Sequence, residues 1–88
     1  GLSHLRRVPV DGVKIDRSFV ADVLRDPDDL ALTTAIIAMA HSLGILVVAE
    51  GVEKEGQYSI LRERGCDFAQ GYWLGHPLTV DEFLQLRR

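Results

Sequence analysis

Residues Ile45-Leu46-Val47-Val48-Ala49-Glu50 form an unbroken apolar run that ends in an acid and lies between Gly44 and Gly51. A strand with one wet face alternates polar and apolar side chains, whereas an unbroken run suits a strand covered on both faces, as parallel strands are. The stretch before it reads as a helix. Asp26-Pro27-Asp28-Asp29 supplies a capping oxygen, a proline for the first helical position and two acids for the positive end of the helix dipole. Leu32, Ile36, Met39 and Leu43 then recur at spacings of four, three and four, and Ile37 and Ala40 widen the stripe that is expected to face the core. Gly44 is expected to end this helix as a left-handed cap.

The same strand-then-helix unit is legible on either side. Upstream, Val10-Asp11-Gly12-Val13-Lys14-Ile15-Asp16 is a short β-rich run placed after Pro9, followed by Arg17 to Leu24 as a connecting segment with room for a helical turn. Downstream, Gly51-Val52-Glu53 turns the chain into a polar helix from about Lys54 to Arg64, stopped by Gly65, with Tyr58 and Leu61 facing inward. The third unit is Cys66-Asp67-Phe68-Ala69-Gln70-Gly71-Tyr72-Trp73, then a loop through Pro77 and a last helix opening at Thr79-Val80-Asp81-Glu82, where Thr and Glu have capping-box spacing. Strands alternating with helices, without hairpin signals, predict an α/β fold with a parallel sheet and crossover helices. A (β/α)8 barrel takes roughly 250 residues, so a chain of this length supplies about its last three βα units. Cut out of a barrel, such strands are expected to leave two open edges and an uncovered apolar face, and the isolated chain to self-associate, swap elements or aggregate.

Composition narrows the partners. The 88 residues carry a net charge of −3, with 26% charged and 47% hydrophobic side chains, which gives no electrostatic reason to expect DNA or an anionic membrane surface. A nucleotide bound here must have its phosphates held by local groups or metal ions. Cys66 is the single cysteine, so no internal disulfide or cysteine-rich metal site is available, and its plain reading is a small buried residue in a reducing compartment. No segment reaches the ~18 apolar residues of a membrane span, and Gly1 to Arg7 does not read as a signal peptide. The resulting expectation is a cytoplasmic protein whose chain begins inside an element.

Polar residues stand at the C-terminal ends of all three expected strands: Lys14 and Asp16, Glu50, and Gln70. Parallel strands present those ends on one side of the sheet, where ligand sites form. Lysine offers three donors and a charge for a phosphate or a water, a carboxylate binds Mg²⁺ or acts as a base, and an amide both donates and accepts. Plainer readings stand beside these. Lys14 and Asp16 can be strand-end charges reaching solvent, Glu50 and Glu53 loop and helix-start acids, and Gln70 an amide capping a backbone end. His4 and His41 lie on helical stretches without a second ligand at metal spacing, which favours packing or surface roles; Tyr72 and Trp73 favour core or rim packing over stacking on a base.

Three blocks resemble the EAL domain family. Val8-Pro9-Val10-Asp11-Gly12-Val13-Lys14-Ile15-Asp16-Arg17-Ser18-Phe19-Val20 is similar to its leucine-proline-valine-aspartate and lysine-isoleucine-aspartate segment. Ala40-His41-Ser42-Leu43-Gly44 with Val47-Val48-Ala49-Glu50-Gly51-Val52-Glu53 resembles the next block, and Cys66 through Leu78 the last. The match covers nearly the whole chain and about the C-terminal third of a family domain. The resemblance implies a modified TIM barrel that hydrolyses cyclic di-GMP to linear pGpG with two Mg²⁺ or Mn²⁺ ions. It further implies that Lys14 holds the attacking water or a phosphate oxygen, that Glu50 is a metal ligand or water-orienting base, that Gln70 lines the site, and that Asp16 and Glu53 support it. The family's glutamate-alanine-leucine motif, its asparagine and further glutamate ligands and its paired aspartates have no counterpart in these residues, so the 88 residues alone are expected to be inactive. His76 stands where the family often has arginine. The resemblance carries two more expectations: a homodimer through the full domain and, as the competing reading, a degenerate member that binds cyclic di-GMP or a protein partner without turnover.

Overall fold

The structure, a computed structural model, describes residues 11–73 and 76–78, with side chains through Gly71. The expectations for His4, Val10, the helix from Thr79, the side chains of Tyr72, Trp73 and His76, and the terminal arginines fall outside the described residues. The elements follow in the order β1 (Val13–Ile15), α1 (Arg17–Asp22), α2 (Pro27–Ser42), β2 (Val47–Val52), α3 (Glu55–Glu63), β3 (Phe68–Trp73) and β4 (His76–Leu78). The sheet order is β1-β2-β3-β4. The first three strands are parallel, as expected, and the helices supply their crossovers. β4 was not expected: the stretch read as a loop is a three-residue strand antiparallel to β3, with Tyr72 opposite Pro77. A proline on an outermost strand removes a hydrogen-bond donor where no neighbour needs it, and three residues carry no alternation to read. Among the described residues, β4 therefore occupies the β3 edge that was expected to be open.

Register sorts the side chains onto two faces. Ile15, Ala49 and Ala69 are aligned across the three parallel strands, and with Val47 and Val52 they pack against Val20, Ile37, Ala40, Tyr58 and Leu61 from the helices. The other face carries the row Lys14, Val48 and Phe68. There Lys14 is exposed, but Val48 and Phe68 are buried to 0% and 1% exposure, so the expected uncovered apolar face is not found at these two positions.

Helix α2 begins as its sequence requires, with the Asp26 carboxylate accepting from the Asp28 N–H at 2.9 Å and Pro27 opening the helix. It ends at Gly44 with φ 74°, a conformation open to glycine at little cost. Part of the expected stripe is buried, namely Ile37 and Ala40, with Ile36 packed part-buried against the core, and part is not. Thr33, Ile37 and Ala40 point inward, while Leu32, Met39 and Leu43 are 45%, 61% and 68% exposed. Apolar residues run almost all round this helix, from Leu30 to Ala40, so periodicity alone leaves its rotation undetermined. Small Ala40 and β-branched Thr33 and Ile37 allow a close approach to the sheet, and the longer side chains turn out.

Thr33 is fully buried, and its hydroxyl has no hydrogen-bond partner among the described residues. Thr33→Val keeps the shape and removes a desolvated polar group, a change worth about 1 kcal/mol. In a complete domain the thermal midpoint is expected to rise by roughly 2–4 °C. A lower midpoint would show that the hydroxyl is satisfied.

The amino ends of the strands are fastened by one carboxylate. Asp67 Oδ2 lies 2.6 Å from His41 Nε2 and accepts the Val47 N–H at 2.9 Å, joining the last turn of α2 to the starts of β2 and β3. His41 was expected in a packing or surface role, and this contact gives it a specific one. Cys66 is buried beside the same corner, its thiol donating to the Phe68 carbonyl at 3.3 Å. Burial pushes that thiol up to about 12, so it stays protonated at neutral pH and offers no nucleophile.

Candidate active site

The carboxyl end of the sheet is shaped by a slip of one residue. Ala49 pairs with Ala69, but the next aligned pair is Val52 with Gly71, so Glu50 and Gly51 together oppose Gln70. Two residues facing one is a β-bulge, a device that re-aims side chains at sheet ends. Glu50 follows Ala49 as Gln70 follows Ala69, which sets a carboxylate and an amide side by side on neighbouring strands, and the slip adds Gly51 to that pair.

Glycines make the bulge compatible with its surroundings. Gly51 has φ 73°, and a Cβ there would lie 2.5 Å from Arg17 Cβ. Gly71 has φ 138°, and a Cβ there would lie 2.5 Å from the Val52 carbonyl oxygen and 2.6 Å from its nitrogen. Neither position has room for a side chain. The missing methyl groups let the start of α1 and the backbone of β3 close onto β2.

Capping residues hold the loops. Asp16 accepts from the Ser18 N–H at 3.0 Å and from the Ser18 hydroxyl at 2.7 Å, which starts α1. Those bonds from the Ser18 hydroxyl and N–H, helped by the charge of Arg17, hold its carboxyl below the ordinary range. At the other loop, the buried Gln57 turns its side-chain carbonyl back to accept the N–H groups of Glu53 and Lys54 at 2.8 and 3.0 Å. Gln57 was not singled out in the sequence, although it stands three residues after Lys54, where a capping-box amide belongs.

These elements enclose a cleft of about 330 Å³ lined by Arg17, Glu50, Gly51, Glu53, Gln70 and Gly71. Three of the five expected site residues, Glu50, Glu53 and Gln70, thus share one cleft. Lys14 and Asp16 are not among its lining residues: Lys14 stands in the row of Val48 and Phe68, two residues before Glu50 and Gln70 on the same face of the sheet, and Asp16 is engaged as the α1 cap. Arg17 lines the cleft and was not expected there. No local signal marks it, since its place is set by the close approach of its Cα and Cβ to Gly51 on the neighbouring strand.

A βα repeat with a polar cleft at the carboxyl ends of its parallel strands is the arrangement through which α/β barrels and open α/β sheets bind ligands. The EAL domain profile matches residues 1–77, and the chain belongs to the EAL domain family. It is 46% identical, over 99% of its length, to the cyclic di-GMP phosphodiesterase NbdA of Pseudomonas aeruginosa, of which it spans 12%. Against the bifunctional diguanylate cyclase/cyclic di-GMP phosphodiesterase MucR of the same organism it is 41% identical over 94% of its length and 12% of that protein. Among solved structures, the c-di-GMP complex of the PaMucR phosphodiesterase superposes with a TM-score of 0.70 at 40% identity, over 88% of this chain and 31% of that one. The EAL domain of Mycobacterium smegmatis DcpA gives a TM-score of 0.68 at 46% identity, over 90% and 35%. The chain therefore spans about an eighth of these curated relatives and about a third of these solved chains.

EAL phosphodiesterases are metal-dependent. Two carboxylates and an amide oxygen are hard donors of the type that suits Mg²⁺ and similar cations. No group of three or more His, Cys, Asp or Glu positioned to hold a metal occurs among the described residues, so this segment offers part of a ligand set.

Proposed function

We propose that residues 1–88 are the C-terminal part of an EAL domain whose complete form hydrolyses cyclic di-GMP to linear pGpG. The observation that carries this reading is the gathering of Glu50, Glu53 and Gln70 in one cleft at the strand ends, in a chain 46% identical to a cyclic di-GMP phosphodiesterase. In hydrolysis, a water oxygen bonds to phosphorus, the bond from phosphorus to one ribose 3′ oxygen breaks, and that oxygen takes up a proton. Glu50 is the residue assigned to ligate metal or to orient the water. Lys14, in the same sheet row as Val48, holds the attacking water or a phosphate oxygen. Gln70 lines the site. Glu53 supports it from the loop held by Gln57, and Asp16 supports it by fixing the start of α1.

Two Mg²⁺ or Mn²⁺ ions, when bound, lower the pKa of water and stabilise charge on the phosphodiester. Glu50 is this chain's contribution to holding them. Because the segment brings only part of the ligand set, we expect no useful turnover from the 88 residues alone. For the complete protein we place the activity in the cytoplasm and the domain in a homodimer. No helix among the described residues is long and apolar enough to cross a membrane.

The test is to incubate a complete domain carrying these residues with cyclic di-GMP and to follow pGpG by chromatography. Turnover is expected with Mg²⁺ or Mn²⁺, lost in excess chelator and restored by adding either ion back. Turnover that persists in chelator, or none under any condition, would refute the reading.

A further inference from the structure

Of the side chains that line the cleft, those given a role so far bring negative charge and no positive charge. A phosphodiester carries negative charge, yet the cleft presents Glu50 and Glu53, and a chain with net charge −3 supplies no attractive background field. Arg17 is the one cation among the lining residues. Its side chain is exposed and makes no ion pair or hydrogen bond among the described residues, although two carboxylates line the same cleft. Its backbone and the base of its side chain are fixed: α1 starts at Arg17 under the Asp16 cap, and its Cα and Cβ lie where Gly51 has no side chain. A guanidinium whose root is fixed and whose charge is unspent fits a phosphate, which it can grip with two parallel N–H donors.

We propose that Arg17 is the phosphate anchor of this cleft, binding a phosphodiester oxygen of the substrate and setting affinity rather than the chemical step. This rests on the reading of the cleft as a cyclic di-GMP site. Glu50 and Lys14 act on the reacting atoms; Arg17 holds the substrate at the rim. The glycine at position 51 is thereby explained as well, since any Cβ there would push the anchor's root away.

The experiment uses a complete domain with Arg17→Met, which keeps the stem and removes the charge, and Arg17→Lys, which keeps the charge and removes the fork. Hydrolysis gives KM and kcat, and calorimetry with the phosphorothioate analogue of cyclic di-GMP gives Kd without turnover. We expect Arg17→Met to raise KM and Kd roughly tenfold, the scale of a lost charge-assisted hydrogen bond at an exposed site, with kcat within about twofold. Arg17→Lys should fall between wild type and Arg17→Met, and the dependence of Kd on salt should weaken in Arg17→Met. Unchanged Kd in Arg17→Met, or a fall in kcat at constant KM, would overturn the anchor while leaving the phosphodiesterase reading intact. A wild-type domain that neither binds nor hydrolyses the dinucleotide would overturn both.

Discussion

In a complete domain, Glu50→Gln is expected to lower kcat by roughly 10²–10⁴, the range lost when a positioned acid–base group is removed. The substitution preserves size, keeps one acceptor oxygen, turns the other into a donor and removes the charge. Stability should change by no more than about 0.5 kcal/mol, because Glu50 is only part-buried and has no hydrogen bond or ion pair among the described residues. Its position supports the same conclusion. In the register set by Ala49 and Ala69, Glu50 falls opposite Gln70 at the carboxyl ends of the strands, and both line the cleft. Turnover measured at saturating cyclic di-GMP, alongside a thermal melt, separates the outcomes. Near wild-type turnover in a well-folded Glu50→Gln domain would remove Glu50 from the chemistry.

The largest effect on stability is expected from Gly71→Ala. A methyl group there meets backbone atoms of Val52 at 2.5 and 2.6 Å, and backbone atoms cannot rotate away as a side chain can. The φ of 138° adds backbone strain for any L side chain. Overpacking and strain together should cost about 3 kcal/mol or more. Gly44→Ala is the matched comparison: its φ of 74° is also positive, but nothing lies within 4 Å of the added carbon, so only the left-handed penalty of about 1 kcal/mol remains. Denaturant unfolding of both variants reads the difference directly. Equal losses would mean that the β2–β3 contact relaxes to admit a methyl group, and that the close approach there is not required.

The parts of this fold that were legible in the sequence are those written in local chemistry. The Asp26 cap, Pro27 and the Gly44 stop act within one turn of chain, and the β2 run declares a doubly covered strand through composition alone. The rotation of α2 was legible only in part, because apolar residues encircle it and the choice of Thr33, Ile37 and Ala40 is made by the sheet it lies on. β4 was hidden by its length and by Pro77. The site divides the same way. Glu50, Glu53 and Gln70 were legible because parallel strands gather their carboxyl ends. Arg17 was not, because its place depends on the bulge and on Gly51, and a register slip between two strands leaves no mark on either strand alone.

The His41–Asp67 corner sits at the far end of the strands from the cleft and fixes where β2 and β3 begin. With the starts pinned, an extra residue introduced near the bulge cannot slide the strands past each other; the surplus has to bulge outward where it is inserted. Insertions and deletions around Glu50 to Lys54 therefore reshape the mouth without reversing which side chains face the helices. The same change made just before Val47 falls in the loop between α2 and β2, outside the pinned strands. The segment is in effect a ruler with its zero fixed at one end, and that end-to-end asymmetry marks the cleft rim as the place to graft loops when binding is to be redesigned.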